Sequence, residues 1–277
     1  MKNNIDLETV KGFGDEWSRF NQALLPPQEL QESFNQYFKV FPWNSLPKDA
    51  VGFDLGCGSG RWAKCVAPKV CRIHCIDASE AALAVAKRNL KEFANCEFHV
   101  ASVADIPLPE NSMDFWYSLG VFHHIPDTTA GIKSCVSKLK AGAPFLLYIY
   151  YAFDNRPAWF RVLWRASDFL RKLISRFPYP LRYALSQVIA VLIYYPFARF
   201  SLLLEIVGLN VEAFPLSAYR RRSFYTMRTD ALDRFGTRLE KRFTAAQIQE
   251  MMEDSDLERI VFSDTVPYWC AVGYKKN

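Results

Sequence analysis

The chain has 277 residues, half of them apolar and 15% aromatic, with a formal net charge of +5. A substantial core can be buried, which excludes a disordered chain, and so mild a charge does not by itself imply a nucleic-acid partner. The charge is unevenly spread, however: residues 156–228 hold 12 Arg or Lys against three acids, Asp168, Glu205 and Glu212.

Residues 1–46 read as a helical cover, with Phe13, Trp17, Phe20 and Leu24 at helical spacing and a second helix from Gln28 to Phe38. The leading segment MKNNIDLETVKGFGDEW lacks the apolar core of a secretory signal. Strands and helices then alternate: AVGFDLG (50–56), a helix from Arg61, CRIHCID (71–77), a helix over 79–93, CEFHVAS (96–102), MDFWYSLG (113–120), a helix over 128–139 and PFLLYIYY (144–151). Near-continuous apolar strands separated by helices predict a parallel sheet covered on both faces.

After Tyr151 the alternation stops, resuming with a helix over 244–255 and strands over 257–264 and 267–275, close enough to form an antiparallel hairpin. The expected organisation is a core of 47–151 and 244–277 with a helical insertion over 152–243. Within the insertion, AWFRVLWRASDFLRKLISRF has the spacing of an amphipathic helix. The uncharged stretch Tyr183–Ala198 is 16 residues long, short of the about 20 apolar residues a spanning helix needs. The seven cysteines have no paired CxxC spacing, no metal is expected, and the expected compartment is the reducing cytoplasm.

The segment FDLGCGSG poses the functional question. A strand that ends in Gly56-x-Gly58-x-Gly60 and opens a helix brings bare backbone close to a ligand. No Gly-Lys-Ser/Thr follows, so a phosphate loop is excluded, and the spacing departs from the G-x-G-x-x-G dinucleotide fingerprint. Asp77, about 20 residues on, stands where a carboxylate meets ribose hydroxyls in nucleoside-binding sheets. Nucleoside binding without pyrophosphate contacts fits best.

FDLGCGSG, CIDAS, ADIPLPENSMDFWYS and LGVFHHIPD together resemble the class I S-adenosylmethionine-dependent methyltransferases of the small-molecule, methyltransferase-11-like type. The resemblance implies a Rossmann-like, seven-stranded, mostly parallel α/β sheet with an antiparallel last strand, and S-adenosylmethionine as cofactor. It also implies that Gly56, Gly58 and Gly60 pass under the methionine part, that Asp54 lies near its amino group, and that Asp77 holds the ribose with Ala78 beside the adenine. Ser102 and Val103 stand where the family often has an acid for the adenine amino group, and Ser118, Leu119 and Gly120 are expected to flank the sulfonium.

His123 is the candidate base, with His124 read as a structural partner of backbone groups. Tyr151, Asn155 and Arg156, at the end of the fifth strand, and Tyr219, Arg222 and Tyr225, from an Arg- and aromatic-rich segment, are candidates for holding an anionic or aromatic acceptor, against the plainer roles of turn, core and solvated surface. The expected activity is methyl transfer to a small molecule. The alternatives are a lipid or quinone methyltransferase at the inner face of a membrane, a nucleic-acid methyltransferase favoured by charge alone, and an inactive cofactor-binding partner protein. The oligomeric state stays open.

Overall fold

Each strand is an apolar run closed by a turn or cap. In the computed structural model, which describes residues 4–277, two helices come first: α1 (Leu7–Arg19), capped by the Asp6 carboxylate on Thr9 N, and α2 (Pro27–Tyr37). There follow β1 (Val51–Leu55), α3 (Arg61–Val66), β2 (Arg72–Asp77), α4 (Glu80–Asn89), β3 (Cys96–Val100), β4 (Phe115–Leu119), α5 (Thr128–Val136) and β5 (Pro144–Tyr148). Ser79 and Asp127 cap α4 and α5 through their side-chain oxygens.

The seven strands lie in the order β3-β2-β1-β4-β5-β7-β6, parallel except for β7 (Ala271–Lys275), which runs antiparallel to both β5 and β6 (Leu257–Phe262). Successive residues of β4 feed opposite faces: Phe115 and Tyr117 enter one apolar layer, while Trp116 enters the other and stacks 3.6 Å from Phe145. The order reverses between β1 and β4, and the crevice at the carboxyl ends of these two strands is where such sheets bind ligands.

Two local expectations are corrected. Leu24 is not part of the first helix: α1 stops at Arg19, and Leu24 stands exposed beyond it. The last two strands do pair antiparallel, but residues 263–270 separate them, because DTVPYW forms an irregular turn in which Cys270 N bonds Pro267 O and Ser263 N bonds Cys270 O. An apolar stretch containing Pro267 reads as strand in sequence yet cannot supply every ladder donor.

The described residues form two compact units: 4–22, 30–152 and 239–277 in the first, and 23–29 with 153–238 in the second. The capping box of α10 (Ala245–Glu253) returns the chain to the first unit, Thr244 and Gln247 satisfying each other's backbone donors. The second unit holds α6 (Ala158–Ile174), α7 (Tyr179–Ile189), a π-helical turn (Ala190–Tyr194), α8 (Tyr195–Ile206) and α9 (Phe224–Gly236). The π turn just before Pro196 absorbs the backbone bond that proline cannot make, so α7, the turn and α8 form one helix, Tyr179–Ile206, of 28 residues. By length and composition it is long and apolar enough to cross a membrane, more than the uncharged 16-residue run indicates. Met227, Ala231 and Phe235 of α9 pack against Ala190, Tyr194 and Ala198 of this helix.

Candidate functional site

The loop after β1 is built from positive-φ backbone: Gly56, Gly58 and Gly60 have φ of 74°, 54° and 76°. At each, the space a Cβ would take is already filled, by Val121 at Gly56, by the Trp17 indole at Gly58 and by Leu90 at Gly60. Gly56 N and Cys57 N bond the Ile76 carbonyl at 2.7 and 3.1 Å, tying the loop to the end of β2. Gly60 opens α3 as its N-terminal cap residue.

Asp77 sets the geometry of this corner. Its carboxylate accepts Gly58 N through Oδ2 and Ser79 N through Oδ1, both at 2.8 Å, joining the glycine loop to the start of α4. Burial raises its pKa, and these two backbone donors partly offset the rise. Asp54, in β1, is 1% exposed. Burial pushes its pKa up to about 8; the nearby Tyr117 hydroxyl opposes this, Asp77 adds to it and Arg61 opposes it. Tyr117 influences the carboxyl without reaching hydrogen-bond geometry, and both Asp54 Oδ2 and Tyr117 Oη are left buried with no partner.

The first helix lies over this loop. Trp17 packs on Gly58, Gly14 packs on Ser79 and the Arg61 guanidinium sits 5.8 Å from the Trp17 ring. Asn4 fixes the start of this segment by a reciprocal pair of bonds with Asp127: its amide donates to Asp127 O at 2.7 Å and accepts Asp127 N at 2.8 Å.

The other expected cofactor residues divide. Ala78 is half-buried beside Asp77. Gly120, at the end of β4 with φ of 84°, faces open space on its Cβ side. Leu119 is buried in the core layer, and the Ser118 hydroxyl is fully buried and donates to Leu55 O at 2.8 Å, so it braces β1. Ser102 accepts Ala104 N through its hydroxyl, closing a turn, and Val103 is buried with its carbonyl held by the Ser134 hydroxyl.

His123 is completely buried, between Tyr150 at 3.8 Å and His124 at 3.9 Å between ring centroids. Burial, then the neighbouring His124 and Arg242, hold its pKa well below the usual histidine range. Its Nδ1 accepts Tyr150 N at 3.4 Å, which assigns the proton to Nε2, and Nε2 has no partner. His124 Nδ1 donates to Leu239 O at 2.6 Å.

Of the expected acceptor residues, Tyr151 belongs to the first unit, where it neighbours Tyr268 and bridges to Phe243. Asn155, Arg156, Tyr219, Arg222 and Tyr225 belong to the second. There Arg156 donates to Glu212 O, Tyr219 packs on Tyr194 and Arg222 donates to Glu29 O. The neighbouring Arg220 and Arg221 both bind the carboxylate of Glu205, at 2.8 and 2.7 Å, and Arg228 binds Gln187 and Tyr183.

Sequence reading missed Tyr117, whose place opposite Asp54 follows from strand register, and Asn4, which carries no motif. It also missed a grouping on the β2–β3 edge, where His74 Nδ1 lies 3.1 Å from His99 Nε2 and 3.2 Å from Glu97 Oε2. The Glu97 carboxylate is shared with Arg72.

A doubly wound sheet with a bare glycine loop, a carboxylate at the end of β2 and a buried acid under the loop defines a nucleoside-binding α/β protein. The sequence comparison is narrower: residues 53–147 match the methyltransferase domain family. The chain is 26% identical over 132 residues to the ubiquinone biosynthesis O-methyltransferase of Xanthomonas axonopodis pv. citri, covering 47% of this chain and 54% of that protein. The corresponding protein of Xanthomonas campestris pv. campestris is also 26% identical, over 134 residues. The chain thus spans about half the length of the curated relatives it matches.

In structure it is similar to a chain of the Haloferax volcanii complex between the Trm112 methyltransferase activator and a methyltransferase, with TM-score 0.54, 14% identity and coverage of 97% and 98% of the two chains. It is also similar to Haemonchus contortus phosphoethanolamine N-methyltransferase 2 in complex with S-adenosyl-L-methionine, with TM-score 0.52, 16% identity and coverage of 94% of this chain and 44% of that one. The residues present fit this cofactor: Asp54 and Tyr117 offer unpaired buried polar atoms, and Gly120 offers open space at the end of β4.

Proposed function

We propose that this protein transfers a methyl group from S-adenosylmethionine to an oxygen of a small, lipophilic aromatic acceptor. The observation that carries the reading is Asp54, a buried acid under the glycine loop with one oxygen unpaired. A carboxyl raised to about 8 by burial is largely protonated at neutral pH; an ammonium placed against it draws its pKa down and is held in return. Asp77 orders the loop and offers its remaining lone pairs to vicinal hydroxyls.

Bound S-adenosylmethionine supplies an electrophilic methyl carbon on a sulfonium. The protein's contribution is to hold acceptor and methyl in line with water excluded, an effect that reaches roughly 7–11 kcal/mol in well-oriented systems. The α1 segment, with Trp17 on Gly58, supplies cover on one side. His123 holds an unpartnered donor at Nε2 that is buried, so orienting an acceptor oxygen requires the site to open; service as a base requires in addition the opposite tautomer, which gives up the Tyr150 bond.

The aromatic acceptor rests on the likeness to ubiquinone biosynthesis O-methyltransferases. A nucleic-acid acceptor is disfavoured because Arg220, Arg221 and Arg228 are engaged by Glu205, Gln187 and Tyr183 and not presented for phosphates. Calorimetric titration with S-adenosylmethionine and S-adenosylhomocysteine, on wild type and Asp77→Ala, tests the cofactor site, and transfer of labelled methyl to phenols with and without an apolar tail tests the acceptor. Absence of binding to wild type sinks the whole reading. Binding with transfer only to non-phenolic acceptors sinks the acceptor class alone.

A further inference from the structure

The second unit is built with its polarity reversed. In the helix Tyr179–Ile206 the buried positions are Ser186, Ala190, Tyr194, Ala198 and Ser201, small or polar and spaced three or four apart. The large apolar side chains point outward, among them Val188, Leu192, Phe197, Phe200 and Leu203. The same inversion holds in α6, where Asp168 and Arg171 are buried while Trp159, Leu163, Phe169 and Leu170 are exposed.

Inward charged groups of this unit are paired within it. Arg171 pairs with Asp168 at 2.6 Å and donates to Thr237 O and Arg238 O, and Arg228 bonds Gln187. Of the 25 large apolar side chains exposed among the described residues, 20 lie between Trp159 and Phe224. A water-facing helix buries its apolar stripe and exposes its charges. A helix that buries serines and alanines and displays valine, leucine and phenylalanine has its apolar side in a hydrocarbon medium.

We propose that this face of the second unit is seated in one leaflet of a bilayer that carries anionic headgroups. Charge decides the occupant. The exposed Arg161, Arg165, Lys172 and Arg176 are interleaved with exposed apolar side chains of α6 and the residues just after it, while Arg182 and Arg199, at the two ends of the uncharged run of the longer helix, donate inward to Gly236 O and to Arg220 O and Arg222 O. Long basic side chains beside an apolar face reach back to phosphates while their stems stay in the acyl boundary. The exposed Arg161, Arg165 and Arg176 fit an anionic leaflet, whereas a protein groove lined by apolar residues would leave these charges without partners. Those basic residues also favour lying along one leaflet over crossing it. The inference stands independently of which acceptor is methylated.

The test is flotation of the full-length protein with preformed vesicles of phosphatidylcholine alone and of phosphatidylcholine with phosphatidylglycerol at about 3:1. The expected result is co-flotation with the anionic vesicles that persists in about 0.5 M NaCl, because hydrocarbon burial outlasts screening. Leu192→Glu combined with Phe200→Glu is expected to weaken binding about tenfold or more, while Val261→Glu, on an exposed position of β6 in the first unit, changes nothing. Calorimetric titration with S-adenosylmethionine shows that each variant is folded. A protein that stays at the bottom of the gradient with every vesicle overturns the proposal. So does a lipid-independent dimer that the double variant converts to monomer, which would assign the face to a second copy of the chain.

Discussion

The indole Nε1 of Trp17 lies 2.8 Å from the point a Cβ would occupy on Gly58. The first helix and the glycine loop are therefore in direct contact, and a residue with no motif of its own limits what the loop can carry.

Gly58→Ala meets two penalties at once, the φ of 54° and the Trp17 ring. The expected cost is on the order of 1–3 kcal/mol of stability, with cofactor affinity reduced at least about tenfold. Trp17→Ala added to Gly58→Ala relieves only the steric part. A double-mutant cycle by thermal unfolding and calorimetry checks this, and strict additivity would show that the contact carries no energy.

Asp54 makes stability fall as pH rises. Its folded pKa of about 8 exceeds the 3.8 of an ordinary aspartate, so between these values the folded chain holds a proton that the unfolded chain has released. The slope approaches about 1.4 kcal/mol per pH unit at its steepest. Asp54→Asn is expected to remove it, so that the variant gains most over wild type near pH 8. Saturating S-adenosylmethionine should flatten the wild-type curve.

His123 acts in the opposite sense. Its folded pKa lies below the 6.5 of an ordinary histidine, so at acid pH the unfolded chain takes up a proton that the folded chain refuses. The stability tied to it is present above about 6.5 and is lost as pH falls through and below that value. Urea unfolding of wild type and His123→Gln between pH 5 and about 7.5 should show a shallower acid limb in the variant. A parallel pair of curves would mean that another group sets the limb.

Asp77→Asn is expected to keep one of the two backbone bonds and lose most cofactor affinity, while Asp77→Ala loses both bonds and about 2–3 kcal/mol of stability. Comparing their melting temperatures with their binding isotherms separates the loop-ordering role from the ligand role.

Arg171→Met leaves Asp168 paired with Lys172 alone and removes the donors to Thr237 O and Arg238 O, and is expected to cost about 1–3 kcal/mol, whereas Asp168→Leu together with Arg171→Met should cost less than that single change. Chemical unfolding of both variants measures the difference.

The glycine loop, Asp77 and the alternation of strands and helices were legible in the sequence because each obeys a local rule: glycine where φ is positive, a carboxylate at a strand end, apolar runs between caps. The Asp54–Tyr117 relationship was not, since it depends on the register between β1 and β4, two strands far apart in the chain. For Ser118 the position at the end of β4 was visible, but not that its hydroxyl turns to Leu55 O. In α6 the periodicity revealed two faces without revealing which one meets water. A helix with Asp168 and Arg171 inside and Phe169 and Leu170 outside has the same period as its mirror arrangement.

The boundary of the second unit lies inside α2: Pro27, Gln28 and Glu29 belong to that unit and the rest of the helix to the other. The Glu29 carboxylate receives Ser223 N and the Thr226 hydroxyl, at 3.0 and 2.7 Å. The 86-residue stretch 153–238 is consequently not a cassette that can be cut out and rejoined at its two ends. Excising it would remove Ser223 N and the Thr226 hydroxyl, the donors that hold the Glu29 carboxylate at the head of α2.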